Sequence, residues 1–451
     1  MKPKPQVSHA DLFRSRLSQI LNPDHPLLIL AANIDWESFE AQIDACYAED
    51  IGRPGIPTRV MVGLLYLKSA FDCSDESLMD FWVENPYWQA FCGFEYMHHE
   101  PPIDASSLSR WRKRVGAERL ELLLKVVVET AIKMKAIKPA DLEKVNVDTT
   151  VQEKAIAFPT DARLYHKMRL KLSKRARDLG IRLRETFDKR GREAFIMNGR
   201  YSHARQYKRA AKMRRKLKTY LGRICRAIRK RAPQKDGQIE DARLRSLLEI
   251  ADRIMAQTKT SKDKVYSVHE PDVKCIAKGK AHKKYEFGCK VSVATTNGTN
   301  WVLGVQALDG NPYDGHTLGK AVAQVERISG RTPQDVIVDK GYRGHDYEGT
   351  AQVHVVNTIS KSLSRPIRRM LKRRSAIEPV IGHLKSDCRM DRNHLKGIEG
   401  DRINAILSGA GYNLRKLLRW LVFFVIRWLI WAREVMSTDR NESNRAYRWV
   451  S

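Results

Sequence analysis

Strand-like periodicity in this chain is cut in two by a long stretch that no sheet could accommodate, and this interruption limits the available folds more than any other feature. Alternation of apolar residues begins near Leu142, runs through Val145-Asn146-Val147-Asp148-Thr149-Thr150 and stops near Pro159. A period of two marks a strand with one buried face. The pattern resumes over 264–268, 285–294 and 301–308, with Asn297-Gly298 as a hairpin turn signal between the last two. Residues 317–328 read as helix, and 336–338 and 353–356 as further strands. The intervening residues are rich in Leu, Ala, Lys and Arg, which favour helix. The expectation is an α/β domain over 140–400, interrupted by a helical, basic insertion at about 160–262.

Charge is concentrated in the same interruption. Residues 161–235 hold 27 Lys or Arg against 5 Asp or Glu, a net +22 in a chain of formal charge +30. Such density repels itself unless a polyanion neutralises it, and phosphate contact with counterion release is the natural compensation. Arg214, Arg215, Lys216 and Lys218 lie at its densest point and are candidates for DNA backbone contact.

Residues 1–135 read as an all-α domain that precedes the sheet. Pro57-Thr58 and Asp75-Glu76-Ser77 open helices with apolar residues at helical spacing, and Asn85-Pro86 stops the second. Asp104-Ala105-Ser106-Ser107 offers caps for a further helix that carries Arg110, Trp111 and Arg112. This helix is either a recognition helix, with its N-terminal residues in the major groove, or a surface helix with solvated arginines. On the first reading Arg110 and Arg112 contact DNA ends. Residues 401–451 form a C-terminal helical segment. Its most apolar run, 417–431, is broken by Arg419 and Arg427 and falls short of the ~20 residues that span a bilayer. A buried or subunit-contacting helix is therefore expected, without a membrane partner. Seven scattered cysteines lack a Cys-x-x-Cys pair, which favours reduced thiols, and no signal peptide opens the chain. These features predict a cytoplasmic protein, nucleoid-associated when bound to DNA. No Gly-x-x-x-x-Gly-Lys-Ser/Thr loop occurs, so no nucleotide cofactor is expected.

Three carboxylates stand where two strands and a helix would bring them together. Asp148 ends the first strand run, and Asp339 ends Asp335-Val336-Ile337-Val338 just before Lys340-Gly341-Tyr342-Arg343-Gly344. Glu378 lies near the start of a helical segment. Open α/β sheets bind ligands at the carboxyl ends of their strands. Three such carboxylates can hold one or two Mg²⁺, a hard cation that prefers oxygen ligands; Mn²⁺ can take its place. Paired metals stabilise the attacking and leaving oxygens of an in-line displacement at phosphorus. Each residue also has a plainer reading. Asp339 forms turns in Asp-Lys-Gly, Asp148 ends strands in Asp-Thr-Thr, and Ser375-x-x-Glu378 is a capping box. Arg374 sits one turn before Glu378, and Lys385 sits two turns after it on one helical stripe. With Arg343, they are candidates for binding phosphate. Asp314 reads as a helix cap.

Taken together these motifs resemble the DDE transposases of bacterial insertion sequences, in particular the large insertion-sequence-five family. Its signature of tyrosine, two residues, arginine, three residues, glutamate, six residues and lysine is matched by Arg374, Glu378 and Lys385, with Leu371 at the tyrosine position. Asp148-Thr149-Thr150 and Val338-Asp339-Lys340-Gly341-Tyr342-Arg343-Gly344 resemble its two aspartate motifs. Ser267-Val268-His269-Glu270-Pro271, Lys278-Gly279-Lys280-Ala281 and Asn311-Pro312-Tyr313-Asp314-Gly315-His316-Thr317-Leu318 are similar to it as well.

The resemblance implies a ribonuclease-H-like catalytic domain behind an N-terminal helical domain. It implies an endonuclease and strand-transfer enzyme in which Asp148, Asp339 and Glu378 are catalytic and bind the metal. The implied partners are double-stranded DNA, as element ends and target, and a second copy of the chain, since two ends are joined. Two alternatives stay open: a ribonuclease-H-like nuclease that cuts without joining, and a non-catalytic DNA-binding regulator derived from a transposase.

Overall fold

Apolar side chains at helical spacing build the first part of the chain as α1 (Leu17–Ile20), α2 (Pro26–Asn33), α3 (Glu37–Ile43), α4 (Thr58–Ala70), α5 (Asp75–Glu84), α6 (Pro86–Phe91) and α7 (Ala105–Lys133). The structure, a computed structural model, describes residues 2, 14–48, 54–235, 237–277, 284–356 and 363–446. The Lys278-Gly279-Lys280-Ala281 motif lies outside them. Ser74 caps α5 by accepting from the Ser77 amide, and Asn85 caps α6 in the same way. α7 is two helices joined at Gly116, whose φ of 79° suits only glycine without strain. The second helix restarts under a cap from a distant residue, with the Ala117 amide donating to Glu399 Oε1 at 2.6 Å.

The rest of the chain supplies β1 (Lys144–Glu153), α8 (Asp161–Asp178), α9 (Asp188–His203), α10 (Tyr207–Arg231), the short pair β2 (Gln234–Lys235) and β3 (Gln238–Ile239), α11 (Ala242–Ala256) and β4 (Lys274–Ala277). Then follow β5 (Tyr285–Thr296), β6 (Val302–Leu308), α12 (Leu318–Ser329), β7 (Asp335–Val338), β8 (Gln352–Val355), α13 (Arg365–Lys372), α14 (Ile377–Asp387) and α15 (Gly397–Ala446). The chain divides into two compact units, one of residues 1–152 with 290–451 and one of residues 153–289.

In the first unit the strands lie in the order β6-β5-β1-β7-β8. β5 and β6 are antiparallel, whereas β1, β7 and β8 are mutually parallel. The Asn297 amide donates to the Lys144 carbonyl, so β5 ends where β1 begins. This mixed sheet with its flanking helices is a ribonuclease-H-like fold. Val336, Ile337 and Val338 are fully buried, as expected of a central strand covered on both faces. α12 places Leu318, Ala321, Val322, Val325 and Ile328 on its buried side and ends at Gly330 in a left-handed cap. Within α15, Ala405, Ala410, Leu414 and Leu417 are buried. A β-carbon on Gly411 would stand 2.6 Å from Ser69 of α4, so only glycine permits that approach. No helix among the described residues is long and apolar enough to cross a membrane.

The second unit has its own core, built from Leu164, Met168, Leu172, Leu221, Ile224 and Leu248 among others. The run 264–268, expected as a strand, forms none. Its Val265 amide donates to Gln257 Oε1 at 3.0 Å, and Gln257 Nε2 donates back to the Val265 carbonyl at 3.5 Å. One side-chain amide thus stands where a neighbouring strand would be. The edge strand here is β4, which pairs antiparallel with residues 285–288 of β5.

Candidate active site

Parallel pairing sets two aspartates side by side. β1 and β7 align Lys144 with Asp335, Val145 with Val336 and Asn146 with Ile337. Carried on, the same register brings Asp148 beside Asp339, the residue that follows β7; Asp148 lies in the middle of β1, which runs on to Glu153 instead of ending at the acid as expected. Glu378 reaches them through an anchored connection. The buried Asn146 side chain donates to the Arg373 carbonyl at 3.2 Å and accepts from Asn297 Nδ2 at 2.7 Å. Asn297 also donates to the Met370 carbonyl at 3.1 Å, and the Arg373 guanidinium donates to the carbonyls of Asn297 and Gly298 at 3.1 and 2.7 Å. These bonds tie the 3₁₀ turn Arg373–Ala376 to the sheet, and α14 starts directly from it. Apolar Ile377, Val380 and Leu384 seat that helix and leave Glu378 on the open side.

One guanidinium touches all three acids. Arg374 Nη2 lies 2.6 Å from Asp148 Oδ2 and 3.6 Å from Asp339 Oδ2, and its Nη1 lies 3.2 Å from Glu378 Oε1. Side-chain exposure rises from 15% at Asp148 to 41% at Asp339 and 63% at Glu378, so the cluster opens toward solvent on the helix side. Among the described residues no three His, Cys, Asp or Glu side chains are gathered as a metal-ligand group; in this cluster a guanidinium lies between the acids. Arg374, a candidate for substrate phosphate, here pairs with the acids. The capping box is not formed: the Ser375 hydroxyl donates to the Lys372 carbonyl, and α14 has no side-chain cap. Glu378 is therefore not tied to the backbone.

The other candidates divide. Arg343 is exposed just behind Asp339, and Lys385 is half-buried two turns beyond Glu378. Arg214, Arg215, Lys216 and Lys218 are exposed on α10, whose opposite stripe of Leu217, Leu221, Ile224 and Ile228 is buried. Arg110 is exposed and donates to the hydroxyls of Ser106 and Ser107. Arg112 departs from its expected role. It is 2% exposed and forms a bidentate pair with Asp75, at 3.1 and 2.6 Å. Its position explains this, since it is one turn after buried Leu108 and one turn before buried Val115.

Sequence reasoning missed several neighbours of the acids. Asp314 caps nothing: the turn Asp314–Thr317 has no side-chain cap, and Asp314 Oδ1 instead accepts from Thr149 Oγ1 at 2.8 Å and pairs with Lys290 Nζ at 2.6 Å. Tyr342 is fully buried, and its pKa is driven far up by burial and then by the charges of Asp148, Asp314 and Asp339. A signal for both was present in the sequence, since Asp314 and Tyr342 each lie inside a family-like motif.

A ribonuclease-H-like sheet with acids side by side on two adjacent parallel strands and a third on a following helix defines a class of nucleic-acid phosphoryl-transfer enzymes. Residues 15–114 match the family model described as a transposase domain (DUF772), and residues 250–414 match the transposase DDE domain. The chain belongs to the DDE transposases of insertion sequences. Accordingly it is a DNA transposase by class, and DNA is its partner. It is similar to an uncharacterized protein, ORF8 of the nfe locus of Rhizobium meliloti, at 50% identity over 208 residues, which are 46% of this chain and 100% of that protein. No solved structure matches it.

Proposed function

We propose that the protein cuts DNA at the ends of an insertion sequence and joins the freed ends to target DNA by Mg²⁺-dependent in-line phosphoryl transfer. The observation that carries this reading is the sharing of one cation, the Arg374 guanidinium, by Asp148, Asp339 and Glu378. The cluster offers three anionic carboxylates, the oxygen donors that a hard divalent ion requires once Arg374 is displaced from between them. Asp148, Asp339 and Glu378 hold that ion, Mg²⁺ or Mn²⁺. When bound, it supplies charge neutralisation and an activated oxygen at the scissile phosphate. Arg374, once released from the acids, binds substrate phosphate together with Lys385 and Arg343. Phosphoryl transfer of this kind depends on positioning and charge rather than on a protein nucleophile. The exposed basic face of α10 grips the DNA backbone, and the helices of residues 1–135 approach the element ends through Arg110. Residues 140–400 carry the chemistry around the insertion at about 160–262. Two copies act together in the cytoplasm, because two ends are joined.

The test is incubation of the purified protein with Mg²⁺ and DNA that carries the flanking element ends. Cleavage followed by joining is expected, with Glu378→Gln abolishing both and leaving DNA binding intact. Cleavage without joining would identify a nuclease, and normal cleavage by E378Q would remove Glu378 from the site.

A further inference from the structure

We propose that Asp314 is a fourth carboxylate of the cation site, a ligand rather than a structural ion-pair partner of Lys290. The inference rests on the reading of Asp148, Asp339 and Glu378 given above. Asp314 has two differently engaged oxygens. Oδ1 is held by the hydroxyl of Thr149, the residue after Asp148, and by Lys290 Nζ, which also donates to the Pro312 carbonyl at 2.8 Å. Oδ2 turns toward Gly341. A β-carbon on that glycine would stand 3.1 Å from Asp314 Oδ2 and 3.0 Å from Asp339 Oδ1. Oxygens of two acids thus face one small space that the missing side chain leaves open. The Gly341 amide donates to Asp339 Oδ1 at 2.9 Å, which fixes that carboxylate against the same space.

A second observation points to a ligand there. Tyr342 is 0% exposed, and its hydroxyl makes no hydrogen bond of ordinary geometry among the described residues. Among those residues Thr317 is its one side-chain hydrogen-bonding neighbour, short of a well-formed bond, and the charges of Asp148, Asp314 and Asp339 all act on it, so it lies near this cluster. A buried hydroxyl without a well-formed hydrogen bond is costly, and a hydrated cation would supply one. Charge agrees: Asp148, Asp314, Asp339 and Glu378 face Arg374 and Lys290, which leaves these six groups two negative charges. That net charge, larger once Arg374 leaves for phosphate, attracts a divalent cation. Its hard character suits an all-oxygen set.

The test is calorimetric titration of the full chain with Mn²⁺ alone, without DNA, on wild type and on D314N, K290M, D339N and D309N. Each protein is first checked for an unchanged thermal transition. D314N is expected to weaken Mn²⁺ binding roughly 10–100-fold, the loss typical of residues that support a metal. K290M frees Asp314 from its ammonium and is expected to tighten binding. D309N, at an exposed acid paired with Arg402, should bind as wild type does. D314N binding like wild type while D339N loses Mn²⁺ would overturn the role of Asp314 and leave the three-carboxylate reading standing. Equal weakening by D314N and K290M would mark a structural ion pair and also overturn it. A wild-type chain that binds no Mn²⁺, or a D339N chain that binds normally, would bring down the underlying reading as well. Where D314N fails to fold, the direction of the K290M change decides alone.

Discussion

Arg374 is the side chain through which the acids of this site meet, and the proposed function gives it two competing uses. Without DNA it neutralises Asp148, Asp339 and Glu378; with DNA, phosphate oxygens offer it an alternative. Arg374→Ala therefore has opposite effects on two measurements. Mn²⁺ should bind the free protein more tightly, because a competing positive charge is gone. Cleavage should fall by roughly 10²–10³, the loss typical when one preorganised donor at a reacting group is removed. Unchanged Mn²⁺ affinity would show that the guanidinium does not compete for the acids. Arg110 and Arg112 show how far single residues can be read without coordinates. Two arginines two positions apart look equivalent in sequence, yet one faces solvent and the other is buried against Asp75, 37 residues away. Local spacing against Leu108 and Val115 carried that distinction, but the buried partner did not appear in any local pattern. Arg112→Ala should lower stability by about 1–3 kcal/mol, the loss of charged hydrogen bonds at a buried site where Asp75 keeps its pairing with Lys68, whereas Arg110→Ala should stay within about 0.5 kcal/mol. Urea unfolding of the two variants decides, and equal effects would contradict the buried pair.

Helix α10 divides its residues by face. Its buried stripe serves the core of the second unit, while Arg214, Arg215, Lys216 and Lys218 remain outside. Replacing those four by Ala should leave folding intact and flatten the salt dependence of DNA binding, by about 0.9 in log K per decade of salt for each phosphate no longer neutralised. An unchanged slope would mean that they do not touch DNA. Helix α8 carries a pH-sensitive core residue. His166 is buried, stacked on Phe195 at 4.7 Å, and desolvation drives its pKa down from 6.5 to about 4, helped by the charge of Arg169. The unfolded chain therefore binds a proton that the folded one refuses between those values. Stability from this site is complete above pH 6.5 and declines as pH falls toward 4. His166→Phe should flatten that decline in acid-unfolding curves, and an unaltered slope would assign acid sensitivity to other groups. At this scale most of the sheet was legible, because β1, β5, β6, β7 and β8 carry their alternation or apolar runs openly. The run 264–268 carried the same signal and failed, since pairing is decided by what lies alongside; there it is Gln257. Asp314 failed for a related reason, its partners Thr149 and Lys290 being distant in sequence.

For the whole molecule, joining two DNA ends calls for two active centres in one assembly. With DNA in excess, mixing wild type with E378Q at fixed total protein should reduce joining as the square of the wild-type fraction. A linear decrease would show that each chain works alone.

Placement of the basic unit between β1 and the strands that flank it also has a consequence for the order of events on the ribosome. β1 emerges early, yet β5 is made more than 130 residues later and β7 about 190 residues later, at 335–338. At roughly 5–20 residues per second, Asp148 waits about 10–40 s for its parallel neighbour to be synthesised. Glu378 comes later still. The residues of the helical interruption have all been synthesised before then, and they include the 27 basic side chains of 161–235. On the proposed function, a nascent or prematurely terminated chain therefore carries the charge to hold DNA before it has the acids to cut it.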